Sequence, residues 1–157
     1  MLRRRLLVLA AIALSALFAA TAVGDSRVFF RTVAKGDGSS SELIKRTGFV
    51  VRSASRWADV WRQLNAGVTP PPRRPAVDFS QHMLLVVTLG QQTSGGHSIA
   101  VRSITDGGSR WTARVRESRP GPECLSTAVI TAPFHVVRVR RSRDGVSFAR
   151  TTVKTDC

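Results

Sequence analysis

Hydrophobic positions along this chain switch period from segment to segment, and each switch predicts an element. Residues 27–33 and 48–52 are short runs rich in β-branched and aromatic side chains, on either side of the turn-forming Gly36-Asp37-Gly38-Ser39-Ser40-Ser41. They predict two strands paired across that turn. From Ser55 the period lengthens, and Trp57, Val60, Trp61 and Leu64 fall at i, i+3, i+4 and i+7. With Ser53 or Ser55 placed to cap its start and Gly67 just past its end, this is an amphipathic helix of about three turns. Two tryptophans at helical spacing belong to a core rather than to a ligand-binding box. Pro70, Pro71, Pro72 and Pro75 then impose an extended, helix-free connection, because each fixes φ and lacks a backbone donor.

Beyond the prolines the period shortens to two. Residues 83–89 are a continuous apolar run suited to a central strand, while 97–104, 110–117, 135–140 and 146–153 alternate in part. They read as a meander of antiparallel strands, with Asp106-Gly107-Gly108 and Asp144-Gly145 supplying residues tolerant of positive φ for tight hairpins. The expected fold class is α+β: a single domain, mainly an antiparallel sheet of about five to seven strands, with one short helix packed on one face.

Alternation also assigns faces. Trp111, Ala113 and Val115 share one face and leave Arg110, Arg114 and Arg116 on the other; Val137 and Val139 likewise leave Arg138 and Arg140 opposite. Arg102 falls in the polar phase of its own strand. If these strands are neighbours, Arg102, Arg114, Arg116, Arg138 and Arg140 form a basic sheet face opposite the helix, a candidate surface for anionic partners.

The apolar stretch Leu6–Ala20 changes what that charge means. It follows Arg3, Arg4 and Arg5 and precedes Ala20-Thr21-Ala22, the three parts of a secretory signal peptide over residues 1–24. Fifteen helical residues reach about 22 Å against the ~30 Å of a bilayer core, so no stable membrane span is expected once the signal is cleaved. Residues 25–157 are then an exported domain, secreted or periplasmic. The formal charge of +14, less the three leader arginines, leaves +11 on that domain. In the cytosol this would suggest nucleic acid; outside it, the available partners are anionic envelope surfaces and acidic proteins, and no nucleic-acid partner is expected. Cys124 and Cys157 are the only cysteines. An oxidising compartment favours a bridge between them, worth about 3 to 4 kcal/mol by loop closure.

Candidate chemistry is sparse. His82, His97 and His135 stand apart from one another with no metal-ligand spacing, so neither metal nor cofactor is expected. No GxSxG elbow occurs, no pair among the ten acidic residues is set off by spacing, and neither cysteine lies in a catalytic signature. An enzyme would need Asp78, His97 or His135 to converge with a distant serine or with Cys124, and the expectation is a non-enzymatic protein. The most distinctive local sequence is Leu89-Gly90-Gln91-Gln92-Thr93-Ser94-Gly95-Gly96-His97. Its backbone N–H groups could cradle an anion, but the lysine and following helix of a P-loop are missing, and a hairpin that uses Gly95 and Gly96 for their dihedrals is the favoured reading.

Several segments in order resemble the C-terminal domain of PrcB-type protease-complex subunits. They are Ser55-Arg56-Trp57-Ala58-Asp59-Val60-Trp61, Val77-Asp78-Phe79-Ser80, Thr93-Ser94-Gly95-Gly96-His97-Ser98-Ile99, Glu117-Ser118-Arg119-Pro120 and Thr131-Ala132-Pro133-Phe134-His135-Val136-Val137, within about residues 49–148. The family usually has tyrosine where this chain has His97 and Phe134. The resemblance implies an exported accessory subunit that supports the assembly or stability of a partner protease, with no active site to carry over. Contact surfaces are expected at Thr93, Ser94, Gly95, Gly96 and His97 and at Pro133, Phe134 and His135. Two rival roles are a loop-type protease inhibitor and a polyanion-binding envelope protein.

Overall fold

The computed structural model describes residues 26–156, so the segment over 1–24 that the sequence reads as a signal peptide, and Cys157, lie outside the described residues. Eight strands and one helix follow in order: β1 (Ser26–Arg27), β2 (Phe30–Gly36), β3 (Arg46–Val51), α1 (Ala54–Leu64), β4 (His82–Leu89), β5 (Ser98–Asp106), β6 (Arg110–Pro120), β7 (Phe134–Arg140) and β8 (Gly145–Thr155). The strands form two four-stranded sheets, β1-β5-β6-β8 (sheet one) and β2-β7-β4-β3 (sheet two). Mainly antiparallel β structure with one short helix is the α+β class that the alternation predicts.

The helix begins where the spacing places it. Ser53 is its N-cap and accepts the Arg56 backbone N–H at 3.3 Å. Asn65 is the C-cap, not a glycine. Trp57, Val60 and Leu64 pack against Leu84, Val86 and Val136 on the outer face of sheet two. The proline connection is latched to the helix by Trp57 Nε1, which donates to the Pro75 carbonyl, and by Trp61 Nε1, which donates to the Pro72 carbonyl, both at 2.9 Å.

The inner face of sheet two carries Met83, Leu85, Val87, Val137 and Val139 against Ile99, Ile104, Trp111, Ala113 and Val115 of sheet one. β4 is therefore buried on both faces, which is why its sequence is a continuous apolar run rather than an alternation.

Pairing departs from the expected meander. β2 pairs with β7 and β3 with β4, so the first two substantial strands stand at opposite edges of sheet two instead of pairing across residues 36–41. β4 and β7 are neighbours, while β5 and β6 form a hairpin in the other sheet through the Asp106-Gly107-Gly108 turn, with Gly108 at φ 87°. Asp144-Gly145 is not a hairpin: it carries the chain from sheet two to sheet one, where β8 runs parallel to β6. The 90–97 loop likewise crosses between sheets, and Gly90 and Gly96, not Gly95, adopt positive φ (82° and 81°). Alternation identifies faces, but two sheets packed face to face present the same alternation as one.

At one side of the sandwich β3 and β8 approach without backbone pairing. This seam is closed by side chains. The Phe148 ring covers Gly48, where an added Cβ would lie 2.7 Å from the ring. Glu117 projects from β6 in the inward phase continued from Trp111, Ala113 and Val115. It accepts Arg46 of β3 through Nε and Nη2 (3.0 and 3.1 Å) and Arg150 of β8 through Nη1 (2.6 Å). Burial raises the Glu117 carboxyl, while its hydrogen bonds with Arg46 and Arg150 and their charges outweigh that and hold it below the ordinary carboxylate range.

Candidate functional site

The 93–97 loop does not stand alone. Gln92 and Thr131 exchange backbone hydrogen bonds at 2.7 and 3.0 Å, the Gly95 N–H donates to the Thr127 carbonyl at 2.9 Å, and Thr131 Oγ1 donates to the Ser94 carbonyl at 3.2 Å. The loop thus lies alongside residues 125–131, an irregular segment between β6 and β7. Gly95 makes the approach possible, since an added Cβ would meet Thr127 Oγ1 at 2.4 Å. Leu125, Val129 and Ile130 remain 106, 49 and 59% exposed on this segment. They stand beside a loop whose Thr93 and Gly96 face solvent, and we call these three exposed apolar side chains the apolar ridge. Sequence reasoning missed the ridge, because beyond the Gly121-Pro122 turn the segment carries no periodicity that would assign its apolar side chains to a face.

The 133–135 turn lies elsewhere. Pro133, Phe134 and His135 are all buried, which corrects their expected place on a contact surface. Phe134 packs in the layer beneath the helix. His135 sits between the sheets, where its Nδ1 accepts the Val101 backbone N–H at 3.0 Å and its Nε2 pairs with Thr32 Oγ1 at 2.8 Å. Accepting at Nδ1 fixes the proton on Nε2. The Val101 amide lies at the register shift of the β5/β6 ladder, so the imidazole serves backbone that strand pairing leaves irregular. Burial, with the Lys35 charge, pushes the His135 pKa down to about 4 and keeps the ring neutral.

Ser94 and His97 are adjacent, with Oγ and Nε2 at 3.3 Å. The pair lacks the third group that a serine triad uses: His97 Nδ1 is buried without a hydrogen-bond partner among the described residues, and burial together with the Arg119 charge lowers the His97 pKa. Among the described residues, no group of three or more His, Cys, Asp or Glu could hold a metal ion.

The five arginines divide between two surfaces, which corrects the single basic face. Arg102, Arg114 and Arg116 line one shallow cavity with Thr151 on the outer face of sheet one, as their phase requires. Arg138 and Arg140 belong to β7 of sheet two and line a different cavity. Arg140 is also committed to Asp106 at 2.7 Å and to the Trp111 ring at 4.7 Å from its centroid. At the far end of the 121–130 segment, Cys124 Sγ lies 3.5 Å from the Thr155 carbonyl oxygen, two residues before Cys157. No helix among the described residues is long and apolar enough to cross a membrane.

Two antiparallel-rich sheets with one covering helix define a small β-sandwich that carries exposed apolar side chains beside the 93–97 loop. Residues 83–140, from β4 to β7, match the family described as PrcB C-terminal, which supports a PrcB-type family assignment. The match is narrower than the 49–148 of the sequence resemblance and excludes the helix. It contains both the 93–97 loop and the apolar ridge. No curated protein and no solved structure matches the chain.

Proposed function

We propose that this chain is an exported, non-enzymatic accessory subunit that binds a partner protease and supports its assembly or stability. The family match over 83–140 carries this reading, since it suggests a protease-complex-associated subunit. The ridge of Leu125, Val129 and Ile130 beside the Thr93–His97 loop supports it, because it gives that segment a hydrophobic surface open to a partner. The reading includes export through the 1–24 segment and a Cys124–Cys157 bridge. The bridge gains support from the approach of Cys124 to the Thr155 carbonyl, and it would tether the ridge to the end of β8.

Capture from the native envelope with the full chain and with a Val129→Asp/Ile130→Asp variant tests the proposal. The expected result is a peptidase enriched by the wild type and lost with the variant, its activity maintained when the subunit is added. Loss of that activity on addition would replace the stabiliser with the inhibitor. Failure of the wild type to enrich any peptidase would overturn both.

A further inference from the structure

We propose that the cavity at the end of sheet two, where the start of β2, the start of β4 and the end of β7 meet, binds a phosphoryl or sulfo oxoanion carried on an apolar group. Arg31 and Arg138 occupy directly opposed positions of the β2/β7 ladder. Like charges so placed repel, and neither guanidinium has an ion-pair or hydrogen-bond partner among the described residues. Both line a cavity of about 380 Å³.

Arg140, two residues along β7, lines it as well, held by Asp106 and by the Trp111 ring. Across the β4/β7 ladder from Arg140 stands His82, a fourth nitrogen-bearing side chain in the lining, whose Nδ1 has no hydrogen-bond partner among the described residues. Asp106 offsets one cation and leaves the opposed pair uncompensated. The wall is aromatic: Phe30 and Phe29 line the same space, and Phe29 is 86% exposed.

These features select a ligand class. Arginines from two strands offer more donors than the two oxygens of a carboxylate can accept, whereas the three terminal oxygens of a phosphoryl or sulfo group can take them together. An anion between Arg31 and Arg138 converts their repulsion into attraction, and an attached apolar group would cover Phe29. The site lies apart from the 93–97 loop and the ridge, so its failure leaves the accessory-subunit reading untouched.

The test titrates the mature chain with phenyl phosphate, benzoate and phenol by calorimetry, and floats it with phosphatidylcholine vesicles with and without phosphatidic acid. An Arg31→Gln/Arg138→Gln variant is compared with Arg73→Gln/Arg74→Gln, which removes the same charge from the exposed proline connection. The expected result is saturable binding in at least one arm, phenyl phosphate being preferred to benzoate and phenol where it binds. The first variant should weaken that binding at least about tenfold and the second less than about twofold. Binding to phosphatidic acid vesicles alone identifies a lipid headgroup as the source, and binding of phenyl phosphate alone a soluble ester. The unliganded Arg31→Gln/Arg138→Gln protein should melt no lower than wild type, because it has lost a repulsion. No saturable binding in either arm, benzoate bound as tightly as phenyl phosphate, or equal losses in the two variants would overturn the proposal.

Discussion

Replacing Glu117 by glutamine removes the one negative charge that closes the β3/β8 seam. The Glu117 side chain is 0% exposed and that of Arg150 is 12% exposed, while Arg46 is 52% exposed. In Glu117→Gln, Arg46 can turn its guanidinium toward water. Arg150 cannot, and its Nη2 already has no partner. Breaking a buried pair by removing one member costs about 3 to 5 kcal/mol, a large share of the ~5 to 15 kcal/mol that holds a domain folded. For a chain of this length that corresponds to a melting temperature lower by roughly 10 to 20 °C. Arg46→Ala should cost less, about 1 to 2 kcal/mol, because water reaches its site and Arg150 keeps the carboxylate paired.

Urea unfolding of the three proteins at neutral pH measures both numbers. A Glu117→Leu/Arg150→Leu variant then separates lost charge from lost packing, and it should be much closer to wild type than Glu117→Gln. The pH dependence has a defined sign. A carboxyl held below its ordinary value of 4.5 contributes stability above that value and loses it as pH falls through the folded-state pKa. The gap between wild type and Glu117→Gln should therefore be constant near neutrality and shrink once pH drops below about 4.5. A Glu117→Gln protein within about 0.5 kcal/mol of wild type, or an Arg46→Ala loss as large as that of Glu117→Gln, would refute the assignment of the seam to this carboxylate.

Other outcomes follow from the same geometry. His135, ordinarily at 6.5 and here at about 4, stays neutral in the folded chain while the unfolded chain protonates. Stability should thus be full above pH 6.5 and fall by about 3 kcal/mol between there and pH 4, a slope that His135→Gln removes in urea titrations across that range. Gly48→Ala sets a Cβ 2.7 Å from the Phe148 ring and should cost about 1 to 3 kcal/mol in thermal unfolding. Gly95→Ala drives a Cβ to 2.4 Å from Thr127 Oγ1, so it should loosen the 125–130 segment, read as faster amide exchange there, and Thr127→Ala should reverse the effect.

Local period was legible where one element decides it. The helix over 54–64 and the inward phase of Trp111, Ala113 and Val115 follow from spacing alone, while the cap at Ser53 was one of two serines the spacing allowed. Extending that phase by one step reaches Glu117, so the buried carboxylate was readable as an acid at a core position. Strand partners were not readable, because pairing of β2 with β7 or of β6 with β8 joins residues about a hundred and about thirty-five positions apart, and alternation carries no information about distance. The same limit placed Arg138 with Arg114 on one imagined face. It also hid the burial of His135, a polar residue whose partners, Thr32 and Val101, come from other strands. In the candidate site, the loop was legible through its glycines, while the ridge beside it was not, since Leu125, Val129 and Ile130 become a surface only when 125–131 lies along that loop.

The accessory-subunit account is tested most directly by photo-crosslinking from position 129 in the native envelope, followed by the half-life of whatever is captured in cells with and without this chain. The account predicts a crosslinked peptidase whose half-life shortens when the chain is absent and recovers with the wild type but not with Val129→Asp/Ile130→Asp. A crosslink to no peptidase, or a captured peptidase whose half-life is the same without the chain, would contradict it.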